Sequence, residues 1–366
     1  MKKINFFLIG IFLFLFVCSS CTTNSPILDS ALEEAQYAGT SVPLDVRLRG
    51  VWLAGGSDEN GPLAAVDLYD PLTDTWYPDI TRVPTPRAFV GVAVADEKIY
   101  VIGGINTQGE TSELNEVFDI RTHRWSRGIN LPVGIQGAQL ASIGGKIYLA
   151  GGSMTPDAEG AFSKILKMNN NSNFWVSLYD IGGINTYFRV DGAAATLDGI
   201  LYYMGGRTEA GTYVNTNYGN YVMDYIGTFT GTVLPQQRVA LSASSFSSGE
   251  KKYILLTGGV FTTGVITQPN SGVALNTFYY YIPIINTQSM NTGPVMNSSR
   301  AYHGSVVWRN SLYVFGGYDN GSFINTFEYI EDLVTPTPLS TASWTVGSLN
   351  MPRARYGFQA VTNDGQ

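Results

Sequence analysis

Apolar runs that end in two glycines recur along the chain. VWLAGG ends at Gly56, IYVIGG at Gly104, IYLAGG at Gly152, LYYMGG at Gly206, ILLTGG at Gly259 and LYVFGG at Gly317, in steps of 48 to 58 residues. Each run is too short for a helix and is rich in β-branched and aromatic residues, so it predicts a strand. The residues are apolar at consecutive positions, as in a strand buried on both faces. A second apolar stretch precedes each run across a polar turn, as in RAFVGVAVADEKIYVIGG and RAYHGSVVWRNSLYVFGG. Each unit therefore starts with a hairpin that stops at the glycines.

More residues keep register with the diglycine. Arg87, Arg189 and Arg300 each stand 16 residues before the first glycine of their pair, and Arg238 stands 20 before, with SSGEKK lengthening its hairpin. The third unit has Ile135 at this position. After the glycines come a polar loop, a third strand, a turn and a tryptophan: YDPLTDTW, FDIRTHRW and MNNNSNFW end at Trp76, Trp125 and Trp175, and Trp344 closes the last unit. The fourth and fifth units lack this tryptophan. Their outer strands are predicted from β-propensity alone, in NYVMDYIG and TFYYYIPI.

A repeat of about 50 residues with a diglycine, an arginine, a third-strand aromatic and a tryptophan in fixed order resembles the kelch repeat. The resemblance covers residues 47–366 and implies an all-β, six-bladed kelch-type β-propeller. A single four-stranded blade cannot bury both faces, so blades must stack in a ring. The first diglycine comes too early for a complete first blade. RARYGFQAVTNDGQ at the C-terminus matches the strand before a diglycine and then stops. It is expected to become the innermost strand of the blade holding Val51–Gly56, closing the ring and covering an open edge.

Composition agrees with this picture. Of 366 residues 13% are aromatic and only 14% charged, with 41 glycines and 22 tyrosines, a mix suited to turns and pleated surfaces. Residues 1–20 read as an export signal: Lys2 and Lys3, an apolar run from Phe6 to Cys18, then Ser19 and Ser20. Cys21 follows them in a stretch that resembles a bacterial lipobox, although Cys18 stands three positions before it where leucine is usual. Lipidation at Cys21 would hold residues 21–46 as a tether on a membrane, with the outer membrane or cell surface favoured. Both cysteines lie in this leader, so the mature chain would carry no disulfide. Its formal charge would move from -7 to -9 with the loss of the two lysines, which argues against general nucleic-acid binding.

Most candidate chemistry is excluded by the motifs. No diglycine is followed by Gly-Lys-Ser/Thr, so none is a phosphate loop, and no Gly-x-Ser-x-Gly elbow opens a helix. A copper site of the galactose oxidase kind needs histidines and a cysteine, whereas the repeats hold only His123, expected in a solvated turn, and His303, and no cysteine. Asp58, Glu59 and Asn60, like Asp319 and Asn320, suit turns better than calcium ligation, since no glutamate closes a twelve-residue loop. No metal or cofactor is expected.

The kelch resemblance implies a ligand face built from the loops before each innermost strand and after each diglycine. Arg87, Arg189, Arg238, Arg300 and Arg353 would start five innermost strands around one rim of the channel, with Arg355 two positions on. They would either hold blade carbonyls or form an anion-binding rim, since guanidinium forks suit carboxylates. Phe89, Tyr302 and Tyr356 share these segments and offer stacking area. The expected protein is thus a monomeric, envelope-anchored binding module for a protein or glycan ligand. The alternative is a periplasmic sugar-modifying enzyme, by similarity in size, blade number and compartment to sialic acid mutarotases.

Overall fold

The structure, a computed structural model, describes residues 42–158, 160–162, 164–169, 174–180, 189–207, 217–221, 227–230, 233–261, 272–283, 289–335 and 339–363. The export signal, Cys21 and most of the tether lie outside the described residues. The described chain starts with Val42 and a short helix, Leu44–Arg49, so residues 42–46 are part of the folded unit and not of a tether. Val46 is buried, the indoles of Trp52 and Trp308 donate to the carbonyls of Arg47 and Arg49, and Arg49 pairs with the buried Asp70.

The strands form six antiparallel four-stranded sheets among the described residues. From innermost to outermost strand, sheet 1 is Gln359–Thr362, Val51–Ala54, Ala65–Asp70 and Thr75–Arg82. In the same order, sheet 2 is Gly91–Ala95, Lys98–Ile102, Asn115–Asp119 and Arg124–Arg127. Sheet 3 is Gln139–Ile143, Lys146–Ala150, Lys164–Asn169 and Phe174–Asp180. Sheet 4 is Ala193–Leu197, Ile200–Met204, Asn217–Tyr221 and Gly227–Thr230. Sheet 5 is Ser242–Ser248, Lys251–Thr257, Phe278–Ile282 and Ser289–Thr292. Sheet 6 is Gly304–Trp308, Ser311–Phe315, Phe327–Ile330 and Thr345–Val346. In sheet 1 the innermost strand comes from the other end of the chain, with Val51 opposite Thr362 and Ala54 opposite Gln359. The third strand of sheet 4 overlaps only the start of NYVMDYIG; β-propensity alone does not set register there.

The core lies between sheets. One apolar cluster joins sheets 1 and 2 through Trp52, Val66, Val92 and Phe118. Others join sheets 2 and 3, 3 and 4, 4 and 5, and 5 and 6. A further cluster, with Leu53, Tyr69, Phe315 and Phe327, joins sheet 6 to sheet 1. Tryptophans staple the outer rim: the Trp125 indole donates to the Thr81 hydroxyl (2.8 Å), Trp175 to the Ile129 carbonyl (2.9 Å) and Trp344 to the Pro294 carbonyl (2.9 Å), each reaching the preceding sheet or the segment after it. His123 is half-buried against Phe118, with ring centroids 5.2 Å apart, and is not a solvated turn residue; burial lowers its pKa.

Candidate functional site

The diglycines and arginines form one device. In the sheets that carry the arginine, the first glycine of the pair offers its carbonyl to the arginine side chain of its own sheet. Arg87 reaches Gly103 O at 2.6 Å, Arg189 reaches Gly205 O at 3.1 Å, Arg238 reaches Gly258 O at 2.9 Å and Arg300 reaches Gly316 O at 2.8 Å. The second glycine donates its N–H to the backbone carbonyl at the arginine position of the next sheet. The links are Gly56 to Arg87, Gly104 to Ile135, Gly152 to Arg189, Gly206 to Arg238, Gly259 to Arg300 and Gly317 to Arg355, at 2.8 to 3.1 Å. Both glycines of each pair have positive φ. A Cβ on Gly104 would stand 2.6 Å from the Ala88 carbonyl, so the close approach requires glycine.

Three of these arginines meet a buried carboxylate on the third strand: Arg87 with Glu116 (2.8 Å), Arg300 with Glu328 (3.0 Å) and Arg355 with Asp67. In sheet 5 the acid is replaced by Tyr279, whose ring lies 4.6 Å from the Arg238 guanidinium carbon. In sheet 3 the slot is apolar, with Ile135 and Leu166 in one core cluster. Burial pulls the guanidinium pKa values of Arg87 and Arg300 down and that of Arg355 to about 10, against the pull of their acids. Arg355 therefore stays charged at neutral pH.

The rim of ligand-facing arginines is corrected accordingly. Arg87, Arg189, Arg238, Arg300 and Arg355 are buried, and their side chains run back onto the diglycine end of their own sheet. Arg355, and not Arg353, holds the repeat position, since its guanidinium is the one that takes the Gly55 carbonyl (3.1 Å). Arg353 lies outside it, partly exposed, between Asp67 and Asp79. Desolvating a charge is costly unless it is paired or hydrogen-bonded, which explains why these side chains face inward to carbonyls and, in three sheets, to acids.

What does line the channel mouth is the residue two places after each slot. Phe89, Gly137, Asp191, Ala240, Tyr302 and Gly357 all adopt φ between 52° and 64°. Their backbones bond from sheet to sheet: Gly137 N to Phe89 O, Phe89 N to Gly357 O, Gly357 N to Tyr302 O, Tyr302 N to Ala240 O and Ala240 N to Asp191 O, at 2.7 to 2.9 Å. Four of the six are not glycine, so strained backbone is held in place at this mouth. A cavity of about 60 Å³ opens here, lined by Phe89, Gln139, Asp191, Tyr302, His303 and Gln359 among others. Below it the innermost strands surround a channel of about 520 Å³, lined largely by alanine, valine and serine.

Aromatic rings crowd one side of the mouth. Phe89, Tyr302 and Tyr356 lie edge to face with centroids 5.5 to 6.3 Å apart. Phe323 stacks on Tyr356 at 5.3 Å, and Tyr318 lies 5.7 Å from Phe323. All five are half-buried. Polar groups sit opposite: Arg207 bridges to Asp191 (3.4 Å), whose carboxyl pKa is raised by burial against that pairing, and Gln359 donates to Gln139 (3.0 Å). His303 Nε2 bonds the Thr257 hydroxyl at 2.8 Å, and burial lowers the imidazole pKa to about 3. The Asp58 carboxylate caps its own turn by accepting from Asn60 N–H at 2.7 Å.

Sequence reasoning placed Tyr302 and Tyr356 on these loops but missed the acids that hold the arginines. Glu116, Glu328 and Asp67 each stand twelve or thirteen residues after the first glycine of their unit, a spacing that repeats in the sequence. Asp191, Gln359 and Tyr318 stand at repeated positions, but the residue types at those positions differ from unit to unit, so no repeated residue type marks them, nor Phe323.

Six antiparallel sheets packed face to face, each turning at a diglycine, define an all-β propeller. The kelch motif model matches residues 86–131 and 299–333. The chain is 30% identical over 191 residues to Kelch-like protein 35 of Mus musculus, covering 51% of this chain and 30% of that protein. It is 32% identical over 100 residues to Kelch-like protein 41b of Danio rerio, covering 27% of this chain and 16% of that protein. The chain thus spans under a third of the length of these two relatives. The solved structure of YjhT matches with a TM-score of 0.63 at 16% identity, over 84% of this chain and 98% of the other, which is a likeness of fold.

Proposed function

We propose that the chain is a six-bladed kelch propeller, closed by its C-terminal strand, that acts as a binding module for a protein or glycan at the aromatic channel mouth. The pairing of Gln359–Thr362 with Val51–Ala54 and the link from Gly317 N–H to the Arg355 carbonyl support the closed ring. The export signal and Cys21 support display at a bacterial envelope on a lipid anchor. The observation that carries the binding reading is the half-buried ring cluster of Phe89, Tyr302 and Tyr356 on strained, cross-bonded backbone. Surface aromatic clusters of this kind mark interaction sites. The test is capture of ligands from envelope extract and on a glycan array by the full chain and by its Tyr356→Ala variant. A saturable ligand lost in the variant is expected; no saturable ligand in either format removes the reading.

One observation favours a second reading, a sugar-modifying enzyme. Asp191, at the mouth, has its carboxyl pKa raised by burial against the pull of Arg207, and a carboxyl shifted in this direction in a cavity is a candidate general acid–base group. Interconversion of sugar anomers followed by NMR decides it. A rate increased by the protein and abolished by Asp191→Asn supports the enzyme, and an unchanged rate eliminates it.

A further inference from the structure

The mouth has a chemical bias that narrows its ligand. Its aromatic rail runs without a break from Tyr318 through Phe323 and Tyr356 to Phe89 and Tyr302, with successive centroids 5.3 to 5.7 Å apart. Two small hairpins flank it, Ser57–Asp58 with Gly61–Pro62 and Tyr318–Asp319 with Ser322–Phe323. Ser57 bridges directly to Tyr356, and Tyr318 to Ala301. In these hairpins Asp58 follows Ser57 and Asp319 follows Tyr318, with Asn320 in the turn, and Asp191, Gln139 and Gln359 line the cavity at the inner end of the rail.

Among the described residues, Arg87, Arg300 and Arg355 hold their own acids inside the sheets, and Arg207 holds Asp191. The described groups around the mouth are therefore mainly carboxylate, amide and aromatic ring. An anionic ligand meets no uncommitted guanidinium in this set and is repelled by Asp58 and Asp319. A protein partner fits poorly too, because carboxylates are depleted at the cores of protein interfaces. A polyhydroxylated, uncharged ring fits both halves of the surface. Its C–H face packs on aromatic rings, and its hydroxyls donate to carboxylates and exchange hydrogen bonds with amides. A neck of about 60 Å³ admits one substituent of such a ring, not a folded surface.

We infer that the rail Tyr318–Phe323–Tyr356–Phe89–Tyr302 and the flanking carboxylates Asp58 and Asp319 form a subsite for an uncharged saccharide. This rests on the channel-mouth binding reading and specifies its ligand. The full chain is applied to an array of uncharged and carboxylated glycans, and the best binder is titrated by calorimetry. The expected result is an uncharged glycan that binds more tightly than its carboxylated counterpart. Tyr356→Ala and Phe323→Ala should each weaken it about tenfold, about 1.4 kcal/mol, with the melting temperature unchanged. Asp319→Asn should weaken it less. Binding by carboxylated glycans alone, or affinity unmoved by both aromatic variants, overturns the inference. If no glycan binds but an envelope protein is captured and lost with Tyr356→Ala, the saccharide fails while the mouth stands as a binding site. If neither a glycan nor a protein is captured, both fail.

Discussion

Sheets 2 and 3 place opposite chemistry in the same slot. In sheet 2 the buried Arg87 holds Gly103 O, Leu114 O and the buried Glu116. In sheet 3 Ile135 and Leu166 occupy the equivalent places in an apolar cluster. Yet the backbone carbonyls of Arg87 and Ile135 do the same work, accepting the second-glycine N–H of the preceding sheet at 3.1 and 2.8 Å. Joining one sheet to the next is thus a backbone task. The side chain serves only the interior of its own sheet, where an ion pair, an arginine over a tyrosine ring or an apolar pair fills the slot. The fold can therefore dispense with the arginine, but not leave a buried acid without it.

The largest effect should come from making half a pair. Arg300→Ala leaves Glu328 buried without its guanidinium and should destabilise the protein by about 3–5 kcal/mol in a urea titration. A loss under about 1 kcal/mol would mean that the pair is solvated and the slot is not as described. Gly104→Ala attacks the part that the two sheets share. Its φ of 94° and the 2.6 Å approach to the Ala88 carbonyl predict a loss of up to about 3 kcal/mol, whichever chemistry fills the neighbouring slot. A variant as stable as the parent would remove the claim that close approach demands glycine.

His303 adds a contrast at the position after the mouth residue. Val90, Ala138, Gly192, Leu241 and Phe358 stand there in the other sheets, and only sheet 6 has an ionisable group. Burial, helped by Arg300, lowers its pKa to about 3, whereas the unfolded chain takes up the proton near pH 6.5. The folded pKa is depressed, so the stability that neutral His303 permits is whole above about pH 6.5 and declines as the pH falls toward about 3. The decline should reach at most about 1.4 kcal/mol per pH unit. His303→Gln should flatten melting temperature against pH in this window; an unaltered slope would assign the loss to other groups. The smallest effect is expected at the rim. Trp125→Phe removes one indole donor to Thr81 and should lose about 1 kcal/mol, with no change at the channel mouth.

Features that repeat could be read from the sequence, and features that do not repeat could not. The hairpin before each diglycine, the arginine 16 residues ahead and the tryptophan after the third strand keep register, and register is set by backbone packing that every sheet shares. Direction of a side chain does not show in spacing. Arg87 and Arg300 could as well have faced the channel, and the diglycine carbonyls together with the acids at Glu116 and Glu328 explain why they do not. At the C-terminus, RAR offers two arginines, and the spacing alone could not say that Arg355 takes the slot while Arg353 bridges Asp67 and Asp79. The mouth is the opposite case. Phe89, Tyr302, Tyr356 and Phe323 are brought together from distant segments by ring geometry, and no local pattern records that meeting.

The arginine slot is thus an interior framework element whose ion-pair and apolar fillings are interchangeable. A double-mutant cycle in sheet 2 puts this to the test, comparing Arg87→Ile, Glu116→Leu and the pair together by urea unfolding. Each single variant should lose about 3–5 kcal/mol, while the double variant, which copies the Ile135–Leu166 arrangement of sheet 3, should recover much of that loss. Losses that simply add in the double variant would contradict interchangeable fillings.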